Sequence, residues 1–379
     1  MQENSIYDLA VVGGGLAGLS LSIQMAKAGY KVILFEKEKY PFHRVCGEYI
    51  SYESWNFLES LGLDLDALNV SHIRRLKVSD IKGNFFEQQL PLGGFGISRY
   101  TLDNQLAQLA KQNGVDLYEG IRINEIELEN NEFLLSATNR NYSSKLAAGS
   151  FGKRSNLDIK WQRPFAIAKS NKLNNYIGIK YHVKYDFPND LIALHNFKKG
   201  YCGISKIEDD KYCLCYLTTA DNLQSSDNDI QKMEEDILSA NPHLKKIFSE
   251  CEILWKEPVT ISQISFDKKN LIEDHVLMIG DAAGMITPLC GNGMSMALHA
   301  SKIAAEQMKS FLSGQFSRDE MEKSYSTQWN KLFAGRLKTG RRLQRLMLNK
   351  QLINLTISMA KIFPPIMRSL IKQTHGSLF

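Results

Sequence analysis

Residues 8–36 read DLAVVGGGLAGLSLSIQMAKAGYKVILFE, and the order of textures in this stretch decides the fold. Asp8 to Val12 is a short apolar run of strand type, and Gly13, Gly14 and Gly15 follow at once. Leu19, Ile23 and Ala26 then recur at helical spacing, and residues 30–36 make a second strand ending in Glu36. The unit is strand, turn, helix, strand, with a G-x-G-x-x-G turn at Gly13, Gly15 and Gly18. In such a unit the first glycine makes the tight turn, the second lets backbone approach a pyrophosphate, and the third seats the helix against the strand. The phosphates meet free N–H groups and the positive end of the helix. A carboxylate at the position of Glu36 accepts ribose hydroxyls. The four features agree, and together they predict a dinucleotide site.

The bulk properties fit such an α/β protein. A chain of 379 residues holds a large core and about two domains. Hydrophobic content of 44% and charged content of 23% exclude a disordered chain. No signal peptide is expected, because Asp8 and Gly13 interrupt the apolar start, and no apolar stretch approaches the ~20 residues of a bilayer crossing. A net charge of +5, without finger spacing or an aromatic-basic array, argues against nucleic acid as partner. The six cysteines, Cys46, Cys202, Cys213, Cys215, Cys251 and Cys290, are scattered, so they read as reduced and the protein as cytoplasmic.

Beyond Glu36, residues 37–51 (KEKYPFHRVCGEYIS) form a loop at the carboxyl end of a nucleotide-binding strand, the place where ligand crevices form. A helix is predicted over 52–61, strands over 70–98 with a turn at Gly83-Asn84, and a helix from Arg99 to a stop at Gly114. Strands follow at 115–118, 124–136 and 145–149. From about 158 to 265 the texture changes to aromatic and β-branched pieces at 166–170, 176–185, 191–197, 201–206 and 212–219, separated by turns. That pattern predicts a mainly antiparallel sheet with one wet face. A buried-type strand, residues 275–280, runs into GDAAGMITPLCGNGM at 280–294, and a helix over 295–312 follows.

The GGGLAG turn with Glu36, the PFHRVCGE loop, Arg99 and Asp103 in SRYTLDNQL, and GDAAGMITPLCGNG fall in one order. The chain resembles the flavoproteins that include p-hydroxybenzoate hydroxylase-like monooxygenases and geranylgeranyl reductase-like enzymes, over roughly residues 5 to 312. The resemblance implies an α/β fold: a Rossmann-type FAD-binding domain, an inserted, mainly antiparallel β-sheet substrate domain and a helical C-terminal region. The segments would be 1–75, 99–157 and 272–315 for FAD, 76–98 and 158–271 for the substrate side, and 316–379 for the C-terminal helices. It further implies FAD as cofactor, held by Gly13, Gly15, Leu16, Ala17, Gly18, Glu36, Lys37, Arg44, Arg99, Asp281, Gly291, Asn292 and Gly293. Physically, Asp281 ends an apolar strand and is aimed at the crevice. Gly291 and Gly293 shape a helix N-terminus suited to negative charge on reduced flavin.

Two departures from the family separate this chain from either branch. The hydroxylase-type Asp-Gly pair is replaced by Ala147, Ala148, Gly149, Ser150, Phe151 and Gly152, and residues 200–210 (GYCGISKIEDD) lack the reductase-type tryptophan and proline. The resemblance therefore leaves two reactions open: hydride transfer from reduced flavin to an activated C=C bond, or hydroxylation of an electron-rich ring through a C4a-hydroperoxide. A non-catalytic FAD-bound scaffold is the third reading. No second glycine-rich unit is seen for NADH or NADPH, so either would bind the same crevice transiently, or a protein or quinone would donate electrons.

Cys46 is the candidate catalytic residue, with Arg44 close enough in sequence to lower its thiol pKa; the competing reading is a small buried apolar side chain. His43 and Glu48 have weaker claims in the same loop. Cys213 and Cys215 share a strand face and read as packing, Cys290 as a pocket residue, and no ligand spacing predicts a metal. Residues 320–348 form a basic helix whose apolar side carries Trp329, Leu332, Phe333, Leu337, Leu343, Leu346 and Met347, opposite Lys331, Arg336, Lys338, Arg341, Arg342 and Arg345. A second amphipathic stretch, 352–363, precedes Pro364-Pro365. These helices would either lie peripherally on an anionic membrane or pack across the domains with their charges in water. The expected substrate is an apolar, bulky small molecule.

Overall fold

The computed structural model describes residues 6–138, 140–167, 175–288, 291–348, 350–362 and 376–379. Among the described residues there are two sheets. The path of the first runs Ile272–Glu273, Val276–Met278, Asn141–Gly149, Tyr7–Val12, Val32–Glu36, Asp116–Glu119. Its last five strands are parallel. Leu9 to Val12 and Val32 to Glu36 are buried throughout, which is why these strands read as continuous apolar runs and not as alternations. The helix Leu16–Lys27 follows the glycine turn and is tied to the helix Gly293–Leu312 where Ser20 Oγ donates to Ser301 Oγ at 2.7 Å.

Residues 124–136, expected as one strand, are a hairpin of Ile123–Glu129 and Glu132–Ala137. Asn130 and Asn131 sit at its tip with φ of 50° and 65°, a left-handed pair that asparagine tolerates and that matches the twist of a hairpin. The strand expected from 166 is replaced by a helical turn, Pro164–Ile167. Proline pre-sets the first helical φ there, and the Ala166 N–H donates to the Arg163 carbonyl at 2.8 Å; residues 168–170 lie outside the described residues.

The second sheet runs Glu252–Ile253, Tyr176–Lys184, Tyr212–Thr219, Gly200–Lys206, Leu191–Phe197, Ser71–Ser79, Phe85–Gly96, Tyr49–Ser51, with Val259–Ile264 also on Tyr176–Lys184. It is antiparallel except where Leu191–Phe197 meets Ser71–Ser79 in parallel. Ser71–Ser79 belongs to this sheet whole, across the 75/76 division read from the sequence. The wet face expected of the sheet is absent along Tyr176–Lys184, where every residue but Lys184 is buried. Period two puts Ile177, Ile179, Tyr181 and Val183 on one face, packed with Met233, Leu238, Leu244 and Ile247 of the helical excursion after Thr219. Tyr176, Gly178, Lys180 and His182 are left for the other face, which meets the 43–48 loop.

That first face holds a buried carboxyl. Tyr181 and Tyr216 both donate to Glu234 Oε1, at 2.9 and 2.6 Å. Burial, opposed by these two hydrogen bonds, pushes the Glu234 carboxyl up to about 6. The folded protein therefore favours the protonated form, so this group's contribution is complete below the ordinary carboxyl range and lost as pH rises through about 6. Glu234→Gln keeps the acceptor and removes the charge. In urea denaturation at pH 8 the variant should be more stable than the parent by about 2 kcal/mol, and the two should converge near pH 4. A variant less stable at both pH values would contradict this.

The C-terminal helices are Arg318–Leu348 and Lys350–Ile362. Ile353, Ile357 and Ala360 are buried in one cluster with Leu76, Val78 and Phe86, so the amphipathic face covers a flank of the second sheet; Leu352 and Met359 remain exposed. Arg336, expected on the charged outer surface, turns inward and meets Glu53 Oε2 at 3.5 Å. Among the described residues no helix is long and apolar enough to cross a membrane. Cys290 and Pro364-Pro365 lie outside the described residues.

Candidate active site

The glycine turn separates into positions required by the fold and one that is not. A Cβ on Gly13, where φ is +109°, would collide with the Ser150 backbone, and one on Gly18 would collide with the Gly13 carbonyl. A Cβ on Gly15 meets only Arg99 Nη2, at 3.8 Å. The helix beginning at Leu16 has no side-chain cap, so its first N–H groups, those of Leu16, Ala17 and Gly18, face this open space with the positive end of the helix. A cradle left open where glycine is not needed for packing fits a bound pyrophosphate, and the dinucleotide FAD fits the residues around it.

Glu36 closes the second strand as expected, but its carboxylate is held by the protein's own donors. The Gly14 N–H donates to Oε2 at 2.9 Å, the Glu38 N–H to Oε1 at 3.1 Å, and Arg44 Nη2 lies 3.0 Å from Oε2. Arg44 Nε also donates to Asp103 Oδ2 at 3.0 Å, and Arg99 forks onto Asp103 at 2.7 and 2.8 Å. Arg44 and Arg99 thus share one buried aspartate beside the cradle. Lys37 stands apart, exposed and 3.6 Å from Glu38.

Asp281 lies in a short helical turn, Gly280–Ala282. Gly280 has φ of +59°, and a Cβ there would press on Ala17 Cβ at 3.1 Å, so this turn seats directly on the glycine-motif helix. Burial pushes the Asp281 carboxyl up, against the pull of Lys269, Arg99, Arg44 and Lys153. Lys269 Nζ donates to the Asp281 and Lys153 carbonyls, both at 2.7 Å. Burial lowers Lys269 and Lys153 to about 8 each. Both lysines, and the buried Arg163 behind them, escaped the sequence reading because no motif carries them.

Gly291 adopts φ of +64°, and the helix Gly293–Leu312 starts from the buried Asn292 without a side-chain cap. Cys46 Sγ lies 3.6 Å from Met294 Sδ in its first turn. This places the 43–48 loop against that helix, and among the described residues the expected acidifying contact between Arg44 and the thiol is not made. Arg44 is engaged by Glu36 and Asp103, and burial pushes the Cys46 thiol up, the Arg99 charge only partly opposing it. Cys213 Sγ, on the sheet, donates to the Cys46 carbonyl at 3.2 Å.

The same loop carries a cluster that the sequence reading weighed lightly. Glu48 is fully buried and ion-paired with Lys180, also fully buried, and His182 Nε2 lies 2.6 Å from Glu48 Oε2. His43 stacks on Tyr100 at 4.6 Å between ring centroids and packs on Trp255 at 4.1 Å. Burial, with Lys180 and His182 nearby, lowers it to about 4. The available signal was Lys180 and His182 at alternate positions of an otherwise apolar strand, facing one side.

Residues 7–333 match the family model described as FAD binding domain. Conditioned medium factor receptor 1 of Dictyostelium discoideum is 25% identical over 340 residues, which is 80% of this chain and 63% of that protein. Tryptophan 2-halogenase of Chondromyces crocatus is 22% identical over 349 residues, 83% of this chain and 63% of that protein. The chain thus spans under two thirds of the length of both. Further relatives include a reductase and two monooxygenases. Among solved structures, the flavin-dependent brominase Bmp2 superposes with a TM-score of 0.81 at 19% identity, covering 99% of this chain and 94% of that one.

Proposed function

Given that the chain belongs to the FAD binding domain family, we propose that it is an FAD-dependent oxidoreductase that activates oxygen to hydroxylate or halogenate a bulky, apolar ring. The observation that carries this choice over C=C reduction is the set of relatives, which includes a tryptophan 2-halogenase, a pyrrole-carrier brominase, a kynurenine 3-monooxygenase and a squalene monooxygenase beside a lipid reductase. In the structure Arg44 is committed to Glu36 and Asp103 and burial pushes the Cys46 thiol up, which makes it a weaker acid for the proton that C=C reduction would also require.

When bound, FAD would supply the two-electron chemistry that activates O₂, with NADH or NADPH as donor: in hydroxylation one oxygen atom goes to the product and the other leaves as water, whereas in halogenation the halide is oxidised and both oxygen atoms leave as water. The protein's share is positioning. Arg44, Arg99 and the uncapped N-terminus at Leu16 hold the phosphates, and Asp281 and the N-terminus at Gly293 face the flavin end. A buried apolar cluster of Tyr176, Tyr201, Leu217, Ile264 and Phe266 packs against Met285, so a bulky substrate entering beside the 280–294 turn would meet apolar side chains there. Ile353, Ile357 and Ala360 pack on the sheet, so peripheral membrane contact of this helix would run through the exposed Leu352 and Met359.

The test is to reduce the flavin anaerobically with NADH, NADPH or dithionite, then add either an apolar polyene without oxygen or an apolar phenol with oxygen, with and without bromide. Modified phenol formed only with oxygen is expected, and bromide dependence separates halogenation from hydroxylation. Anaerobic reoxidation by the polyene, with its double bond reduced, would restore the reductive reading.

A further inference from the structure

Glu48, in the 43–48 loop, is bonded through both its backbone and its carboxylate, and it connects three parts of the chain. Its own backbone is left-handed, with φ of +55°; a non-glycine residue holds that conformation when its surroundings impose it. Its N–H points to Cys46 Sγ at 3.5 Å, and its carbonyl accepts the Ile97 N–H at 3.1 Å. Its Oε1 accepts the Arg99 N–H at 2.8 Å as well as Lys180 Nζ, and its Oε2 pairs with His182. Lys180 Nζ in turn donates to the Arg44 carbonyl at 3.0 Å. Gly178, one step along the same sheet face, lies so close to the loop that a Cβ there would stand 3.0 Å from Val45.

We propose that Lys180 is a positioning residue for the cofactor: by holding the Glu48 carboxylate and the Arg44 carbonyl together, it sets where Arg44 and Arg99 stand over the glycine cradle. A fully buried lysine is unfavourable unless paired, and this one is spent on two groups that are each one bond network away from a phosphate-facing arginine. The lysine comes from the substrate sheet, while both arginines come from the cofactor side. FAD affinity is therefore coupled to the seating of the sheet on the 43–48 loop. FAD that binds the arginines better in the seated arrangement stabilises that arrangement by the same factor. This rests on the reading that FAD occupies the cradle but not on which substrate is oxidised.

A charge pair that served only the core would behave differently from one that serves the arginines, and a double variant separates them. Lys180→Met leaves Glu48 buried with an incomplete partner set, so it should lose both stability and FAD affinity, the latter by roughly tenfold or more. Glu48→Gln/Lys180→Met removes both charges. It should recover most of the apoprotein's stability in urea yet keep the tenfold loss, because nothing then holds the Arg44 carbonyl. The measurements are urea denaturation of the apoproteins and FAD titration followed by flavin fluorescence. Recovery of FAD affinity together with stability in the double variant would overturn the proposal, as would parent-like affinity in Lys180→Met. If Lys180→Met does not fold, the double variant alone decides between the two. A parent that takes up no FAD is recognisable separately, and it removes the cradle reading and this proposal with it.

Discussion

Gly15→Val should weaken FAD binding by roughly a hundredfold or more, about 3 kcal/mol, while the apoprotein keeps its fold. The two halves of this expectation come from different observations. Gly15 has φ of −83° and ψ of −175°, backbone that any residue adopts, and a Cβ there meets nothing closer than Arg99 Nη2 at 3.8 Å. The folding penalty is then limited to a poorer helix cap, within about 1 kcal/mol. The branched side chain instead fills the space in front of the Leu16, Ala17 and Gly18 N–H groups, where a pyrophosphate must come. Gly18→Ala is the contrasting case: its methyl collides with the Gly13 carbonyl, so it should lose roughly 3 kcal/mol of stability in the absence of FAD. Circular dichroism in urea and FAD titration read the two effects apart. Retained FAD affinity in Gly15→Val would mean that the pyrophosphate does not lie in this cradle.

The glycine cradle was legible in the sequence because its motif is contiguous, although the close approach that requires Gly13 comes from the Ser150 backbone at the end of a neighbouring strand. Strand, turn and helix from Tyr7 to Lys27 are contiguous, and the reasons for Gly13 and Gly18 are close approaches within that unit or to its parallel neighbour. The turn at Gly291 and the helix from Gly293 were legible for the same reason. Lys180 was not, because its partners Glu48 and the Arg44 carbonyl lie 132 and 136 residues away, and periodicity says only which face it occupies. The same blindness paired Arg44 with the Cys46 thiol, its neighbour in sequence, whereas in space it bonds to Glu36 and Asp103. It also put Arg336 on a solvated helix face, since a helical wheel does not reveal that Glu53 waits on the inner side. The dry face of Tyr176–Lys184 is another non-local fact: alternation of apolar and polar residues marks a wet face only when no other segment covers it.

Arg163 is the extreme of this kind, and Arg163→Met should destabilise the protein by about 3–5 kcal/mol. In the stretch WQRPF nothing announces it, yet its side chain is fully buried, with Nη1 2.7 Å from Asp158 Oδ1. Its Nη2 donates to the Asn270 carbonyl at 2.7 Å and to the Ala282 carbonyl at 3.1 Å, and Nε lies 3.4 Å from Glu273. One guanidinium thus joins the helix Asn156–Lys160, the strand Ile272–Glu273 and the turn that presents Asp281. Methionine fills much of the volume but leaves Asp158 buried with only its Ser155 N–H donor, at 2.6 Å, and leaves two carbonyls without their charged partner. The loss should therefore exceed that of the single ion pair, and Asp158→Asn/Arg163→Met should recover only part of it, because the carbonyls remain unpaired. Since Ala282 follows Asp281 directly, the double variant should also bind FAD more weakly than the parent even where its fold is intact. Urea denaturation of both variants and FAD titration of the double variant measure these effects. A loss below about 1 kcal/mol for Arg163→Met would show that the guanidinium acts like an exposed ion pair and does not brace the Asp281 turn.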